Sequence, residues 1–274
     1  MSGDRLHRRG LLKALAAVGG LALSGCDRVA SEPRLRSVLD AANSLTYKVQ
    51  RLLIGAGRLA PEYSEADISP AFRGNGSTDP QDEEYLNLAD NHFADWRLKI
   101  HGLVEHELSL SLQEVRTLPA RTQITRHDCV EGWSCIAKWT GPPLAELLSR
   151  AGVKSEAGFV VFHCADTLDD GGDSGADPES IRYYESIDLI DAEHPQTILA
   201  YEMNGEPLTV RHGAPLRLRL ERQLGYKMAK YIMRIELVRS VTELHGGRGG
   251  YWEDRGYEWY AGSECFLWIQ ARSP

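Results

Sequence analysis

Between Leu35 and Leu53, apolar residues stand at Leu35, Val38, Leu39, Ala42, Leu45, Val49, Leu52 and Leu53. Those spacings predict one amphipathic helix that ends near Gly55 and Gly57. The pattern then changes. Ala60 to Gln81 holds three prolines, two glycines and several serines and aspartates, the composition of an extended segment draped over a domain rather than a unit of its own. Alternation appears at Trp96–Ile100 and Glu107–Leu110, and more cleanly at Leu216–Leu220 and Ile232–Leu237, all of which predict strands. Phe159-Val160-Val161-Phe162 reads as a short buried strand, and Pro143 to Leu148, after Gly141, as a short helix with proline in its first turn. Many short strands with a few helices between them predict an α+β domain of mixed β-sheets with short helices, without internal repeats. Residues 27–84 are expected to form the helix and extended segment, and residues 85–274 the main domain. Asp169 to Glu179 reads as a solvated acidic loop, since its aspartates lack the spacing of a calcium-binding hand.

Charge narrows the function. Thirty-one Lys and Arg against thirty-nine Asp and Glu give a net charge of −8, which offers no basic face for nucleic acid. No apolar run reaches the roughly 20 residues of a membrane-spanning helix. Five cysteines in 274 residues are too few for a disulfide scaffold. Residues 1–26 form an address: paired Arg8 and Arg9, an apolar run from Leu15 to Leu23, and Leu23-Ser24-Gly25-Cys26 at the end. The paired arginines predict twin-arginine export of an already folded chain. Leu-Ser-Gly-Cys resembles a lipoprotein cleavage site, so the expected location is the periplasm, with membrane contact through a lipid anchor only. A cleaved soluble signal with Cys26 merely nearby is the alternative.

The densest candidate chemistry is Thr125-Arg126-His127-Asp128-Cys129-Val130-Glu131-Gly132-Trp133-Ser134. Such charges are costly inside a core unless they serve a site. Arg126 and His127 are expected to depress the Cys129 thiol and favour thiolate, the form that binds metal or attacks; a structural cysteine beside a surface turn fits the same residues. His212 to Arg217 and Gly225 to Lys230 are further polar clusters, able to answer phosphate oxygens or to be solvated turns. A P-loop, a His-Glu-x-x-His zinc site and a Gly-x-Ser-x-Gly elbow are absent, and Cys129 and Cys135 fit zinc spacing poorly. Cys135, Cys164 and Cys265 read as core thiols, with a disulfide among them left open.

Cys129-Val130-Glu131-Gly132-Trp133-Ser134, followed by Trp139, Gly141, Pro143 and Leu144, resembles the metal-ligating segment of the sulfite oxidase family. The similarity runs from about Asn91 to Lys230, with a family-like tail at Gly250-Tyr251-Trp252-Glu253 and Arg255-Gly256-Tyr257. It is greatest to the bacterial branch that includes periplasmic methionine sulfoxide reductase. The resemblance implies a sulfite-oxidase-like molybdopterin-binding fold, a Mo-molybdopterin cofactor and two-electron oxygen-atom transfer on a small molecule such as an S-oxide, an N-oxide or a sulfite-like oxyanion. It implies Cys129 as the catalytic thiolate on molybdenum, a soft ligand beside the dithiolene sulfurs. Asn91, Ala94 and Asp95 would grip the pterin. Cys164 stands where the reductase has threonine, a departure that weakens that contact. His212 stands where sulfite oxidases have histidine, Arg217 matches both branches, and Met228, Ala229 and Lys230 would hold the phosphate. With no Cys-x-x-Cys-His haem motif, electrons would pass through a separate partner: a haem or quinone-linked membrane protein, or a soluble cytochrome. A binding lipoprotein that keeps the fold without the cofactor is the competing reading.

Overall fold

The computed structural model describes residues 45, 47–52, 55, 57–168 and 182–262. The export segment with Cys26, the first part of the expected helix, the acidic loop and Cys265 lie outside the described residues. The chain divides into two compact units, residues 1–53 and 54–274. In the first, residues 47–52 are helical.

In the second unit the order is α1 (Glu83–Asp90), β1 (Arg97–Gly102), β2 (Leu108–Ser111), α2 (Leu112–Thr117), β3 (Arg121–Asp128), β4 (Ser134–Gly141) and α3 (Leu144–Ala151). It continues with β5 (Phe159–Thr167), β6 (Arg182–Asp188), α4 (Leu189–Ala192), β7 (Ile198–Ala200), β8 (Glu202–Met203), β9 (Glu206–Pro207), β10 (Arg217–Arg219), β11 (Ile232–Val238) and α5 (Tyr251–Asp254). Single 3-10 turns at Val210–His212 and Gly225–Lys227 flank β10. The result is the mixed α+β architecture expected: a five-stranded sheet ordered β2-β1-β11-β5-β6, a four-stranded sheet β3-β4-β8-β9, and a β10-β7 pair. Only β1 and β11 run parallel in the large sheet.

Local chemistry sets these elements. β1 alternates, burying Leu98 and Ile100 while Arg97 and Lys99 face out. α1 begins where the Asp82 carboxylate accepts the Tyr85 N–H at 2.9 Å, and α2 where Ser111 and Glu114 cap each other. α3 buries Leu144, Leu147, Leu148 and Ala151 on one stripe. β5 extends five residues past the short strand predicted, because Cys164, Ala165 and Asp166 are buried as fully as Val160–Phe162. That strand, flanked by β11 and β6, is buried on both faces.

Residues 60–77 run over the β3–β4 hairpin. Tyr63 N–H donates to the Ile124 carbonyl at 2.9 Å and Ser69 N–H to the Ile136 carbonyl at 3.0 Å. Gln196 clamps Ala60 twice, accepting its N–H at 2.7 Å and donating to its carbonyl at 3.1 Å. Lys138 pairs with Glu65 at 2.7 Å, and Arg121 pairs with Glu62. These bonds place Phe72 and the turn at Asn75–Ser77 against the polar residues described next.

Candidate functional site

Cys129 sits at the tip of the β3–β4 hairpin. The strands pair in register to His127↔Cys135 and Asp128↔Ser134, and the tip closes through Cys129 N–H to the Trp133 carbonyl at 2.9 Å and Gly132 N–H to the Cys129 carbonyl at 3.1 Å. Gly132 has φ +84°, which favours glycine at this corner. The thiol is half-buried, and burial raises its pKa; the Glu131 carboxylate pushes the same way. The expected depression by Arg126 and His127 does not occur. Arg126 pairs with Asp128 at 2.9 Å, and His127 points to the opposite side of the strand pleat, into the interior.

That interior face of β3 is polar where a core strand would be apolar: Gln123, Thr125 and His127 are all buried. His127 packs among Phe72 and Trp133, with ring centroids 5.5 and 5.6 Å away. Its Nδ1 lies 3.0 Å from Arg219 Nη1 and 3.3 Å from Met228 Sδ. Burial, reinforced by Arg219, Arg217 and Lys230, holds its pKa well below the usual histidine range. Arginine only donates, so Nδ1 is the acceptor and the proton of the neutral ring is on Nε2. That buried N–H has no partner. Gly225 is where the chain passes closest: a Cβ there would collide with the His127 ring.

Arg219 is fully engaged, with Nε and Nη2 on Glu221 at 3.0 and 2.7 Å. Arg217 is not. Its Nη1 donates to the His212 carbonyl at 2.9 Å, while Nε and Nη2 are buried without partners. Both guanidinium groups lie over the Trp139 ring, at 4.8 Å for Arg217 and 4.4 Å for Arg219. Burial and the neighbouring Arg219 lower the Arg217 pKa. Lys230 Nζ donates to the carbonyls of Asn75, at 2.5 Å, and Ser77, and burial brings its pKa down to about 8. His212 accepts the Thr209 hydroxyl at 2.9 Å and donates to the Phe72 carbonyl at 3.3 Å. The cluster thus holds more buried positive charge than the chain neutralises, with orphaned N–H donors at Arg217 Nε and Nη2, His127 Nε2 and Trp139 Nε1. Each orphan costs about 1–3 kcal/mol, and an anionic group rich in acceptor oxygens would satisfy them.

A cavity of about 140 Å³ opens beside this cluster, lined by Cys129, Met228 and Lys230 together with Asp166, Tyr183, Tyr226, Trp252 and Tyr257. Its far wall is anchored by Lys227, whose Nζ donates to Glu253 at 2.6 Å and to Glu185, all three fully buried. Trp252 and Tyr257 stack with centroids 5.2 Å apart. Among the described residues no group of three His, Cys, Asp or Glu could hold a metal ion, so a metal at Cys129 must bring further ligands with it.

The structure therefore brings Cys129, Met228 and Lys230 to one cavity. Arg217, His212 and the buried Ala229 stand behind it, with Ala229 accepting Leu218 N–H at 2.8 Å. It does not bring Asn91, Ala94 and Asp95 there. The Asn91 side chain is consumed locally, accepting Ala94 N–H at 3.2 Å and donating to Asp95 at 2.7 Å. Asn91 and Asp95 line a separate exposed groove beside α1. Cys164 is buried and lines another groove that it shares with Asp95 and His163. Sequence reasoning missed His127 as a donor, Arg219, Asp166 and the Asn75–Ser77 turn. The polar inward face of β3 was the available signal for His127; nothing in the spacing marked the others.

The family described as "Oxidoreductase molybdopterin binding domain" matches residues 85–245. YedZ1 of Azospira oryzae, named as a subunit of protein-methionine-sulfoxide reductase, is 36% identical over 257 residues, 93% of this chain and 88% of its own. The protein-methionine-sulfoxide reductase catalytic subunit MsrP of Xanthomonas campestris is 32% identical over 246 residues, 86% of this chain and 71% of its own. The uncharacterized oxidoreductase YuiH of Bacillus subtilis is 32% identical over 163 residues, 59% of this chain and 72% of its own.

Proposed function

The chain belongs to the molybdopterin-binding oxidoreductase family, and from that premise we propose that it removes oxygen from a neutral S-oxide or N-oxide. It is a molybdenum-dependent oxidoreductase with a molybdopterin cofactor. When bound, that cofactor supplies two-electron oxygen-atom transfer. Cys129 would ligate the metal as thiolate. The unpartnered donors of Arg217 and His127, with Lys230 and the backbone around Ala229, would hold the phosphate and pterin through charge-assisted bonds. Those orphaned donors argue against a binding protein that keeps the fold and discards the cofactor.

One observation carries the choice of a neutral oxide. Among the described residues, the acidic groups lining the Cys129 cavity are Glu131 and Asp166, and the one cation, Lys230, is committed to the carbonyls of Asn75 and Ser77. A sulfite-like dianion would face the Glu131 carboxylate and, at Asp166, an acid that becomes a second carboxylate on losing its proton, whereas an uncharged oxide is repelled by neither. Tyr183, Tyr226, Trp252 and Tyr257 offer apolar faces to the groups carried on sulfur or nitrogen. The names of the relatives agree with methionine sulfoxide as the S-oxide. Their description as subunits and the absence of a haem motif support a separate electron-delivering partner. The paired arginines and Leu23-Ser24-Gly25-Cys26 support export of the folded enzyme and lipid attachment in the periplasm.

Protein from a cofactor-competent host should contain about one molybdenum per chain and oxidise reduced viologen with methionine sulfoxide, but not oxidise sulfite. Metal-free protein, or turnover on sulfite alone, overturns the reading. Cys129→Ser should leave the circular dichroism and thermal midpoint unchanged, since the residue is at a hairpin tip, and abolish turnover. Wild-type activity in that variant removes Cys129 from the metal.

A further inference from the structure

Asp166 is a buried carboxylate that Lys230 and Arg182 attract without closing one of its oxygens in a hydrogen bond. It lies near the end of β5, lines the same cavity as Cys129, and is 3% exposed. One of its oxygens, Oδ1, has no hydrogen-bond partner. An acid in such a place is expensive as an anion and inexpensive as a neutral proton carrier. Resting on the reading above, we propose that Asp166 holds a proton and delivers it to the oxygen leaving the substrate.

The chemistry requires such a group. Reduction of an S-oxide breaks the S–O bond, takes up two electrons and two protons, and releases the thioether and one water. The electrons come from the external redox partner and reduce sulfur. One proton comes from Asp166, which is recharged by solvent through the cavity mouth, and the second comes from water. Among the described residues, four other titratable groups in the lining are poor donors, and a fifth, Tyr226, spends its hydroxyl on the Glu258 carbonyl at 2.6 Å. Cys129 is assigned to the metal, Lys230 is tied to two carbonyls, and Tyr183 spends its hydroxyl on the Tyr226 carbonyl. Glu131 is exposed and accepts from Trp133 Nε1 at 2.9 Å.

The groups that set the charge of Asp166 come from every side. Arg182 and Tyr183 face it from β6, Lys230 and Tyr231 from the loop before β11, Tyr85 from α1, and Cys164 from its own strand. Burial raises its pKa to about 7 despite the pull of Lys230 and Arg182. The carboxyl is therefore poised to give up and regain a proton near neutral pH, where a general acid is most effective. An anionic cofactor nearby would favour the protonated form further.

The test uses the cofactor-loaded full chain with methionine sulfoxide and reduced viologen. The wild-type kcat should fall as pH rises through and beyond about 7. Asp166→Asn should lower kcat about a hundredfold or more and flatten that limb with the molybdenum content unchanged. Asp166→Glu should keep a displaced limb. Independently of turnover, difference infrared spectra of chain labelled with ¹³C-aspartate should show a carboxylic-acid C=O band that disappears between pH 5 and 9 and is missing in Asp166→Asn. If that variant fails to load, the band and Asp166→Glu decide, and a missing band or a glutamate variant without the limb overturns the proposal. The two readings fail separately. A wild-type enzyme that reduces no neutral oxide overturns the functional reading. One that does, with Asp166→Asn matching it in rate and pH profile, overturns the role of Asp166 alone.

Discussion

Two cations ten positions apart in the chain, Arg217 and Lys227, are both buried, at 1% and 0% exposure, yet their surroundings are opposite. Lys227 is enclosed by Glu185 and Glu253, each giving it one oxygen. Burial, and then Glu253, push the Glu185 carboxyl well above the usual range, and two carboxyl groups answer the one ammonium. Arg217 has one carbonyl, an aromatic face and two empty donors. Folding alone explains the first arrangement, which pins the Gly225–Lys227 turn to β6 and α5. It does not explain the second. A buried charge that the chain leaves unpaired is retained only for a ligand of opposite sign.

Removing each cation should therefore give effects of opposite sign. Lys227→Met strands two buried carboxyl groups and should destabilise the protein by about 3–5 kcal/mol, read by denaturant unfolding of cofactor-free protein. Adding Glu185→Gln and Glu253→Gln in that background should recover part of the loss. Arg217→Met takes away an uncompensated charge from a site built around Trp139. Cofactor-free protein should be unchanged or more stable by about 1–3 kcal/mol, while molybdenum content falls sharply. If Arg217→Met costs as much stability as Lys227→Met, the guanidinium is a structural group and the contrast is lost.

The same contrast explains what could be read from the sequence. β1, β11 and α3 bury apolar residues on one side and β2 half-buries Leu108 and Leu110, so alternation and helical spacing announced them. The β3–β4 hairpin did not announce itself as strands, because Gln123, Thr125 and His127 reverse the usual polarity of an inward face. That reversal identified the segment as unusual before its shape was known. Cys129, Arg217 and Lys230 were found through residue type and resemblance. The local pairing of Asn91 with Asp95 could not be foreseen, since it depends on two side chains choosing each other over a ligand. Asp166 was invisible for another reason: it follows a buried run, and only the packing of β6 and the loop at Lys230 shows that it faces a cavity.

The smallest effect separates the two regions by pH. Lys230 belongs to the unneutralised cluster, and burial lowers its pKa to about 8 from the ordinary lysine value of 10.5. Between those values the unfolded chain binds a proton at this position that the folded chain does not. Stability therefore rises with pH there, by at most about 1.4 kcal/mol per unit for one group. Above about pH 9 Arg217, whose pKa burial lowers to about 9, and the thiols of Cys129 and Cys164, which burial raises, titrate as well, so the useful window is pH 8 to 9. In cofactor-free protein, Lys230→Met should flatten the stability curve across that window. Inorganic phosphate added to the wild-type chain should do the same, because an anion in the cluster favours the charged lysine. An identical slope in wild type and Lys230→Met would mean that the Asn75 and Ser77 carbonyls already hold this ammonium charged in the folded chain, leaving the unpartnered donors of Arg217 and His127 to meet a ligand.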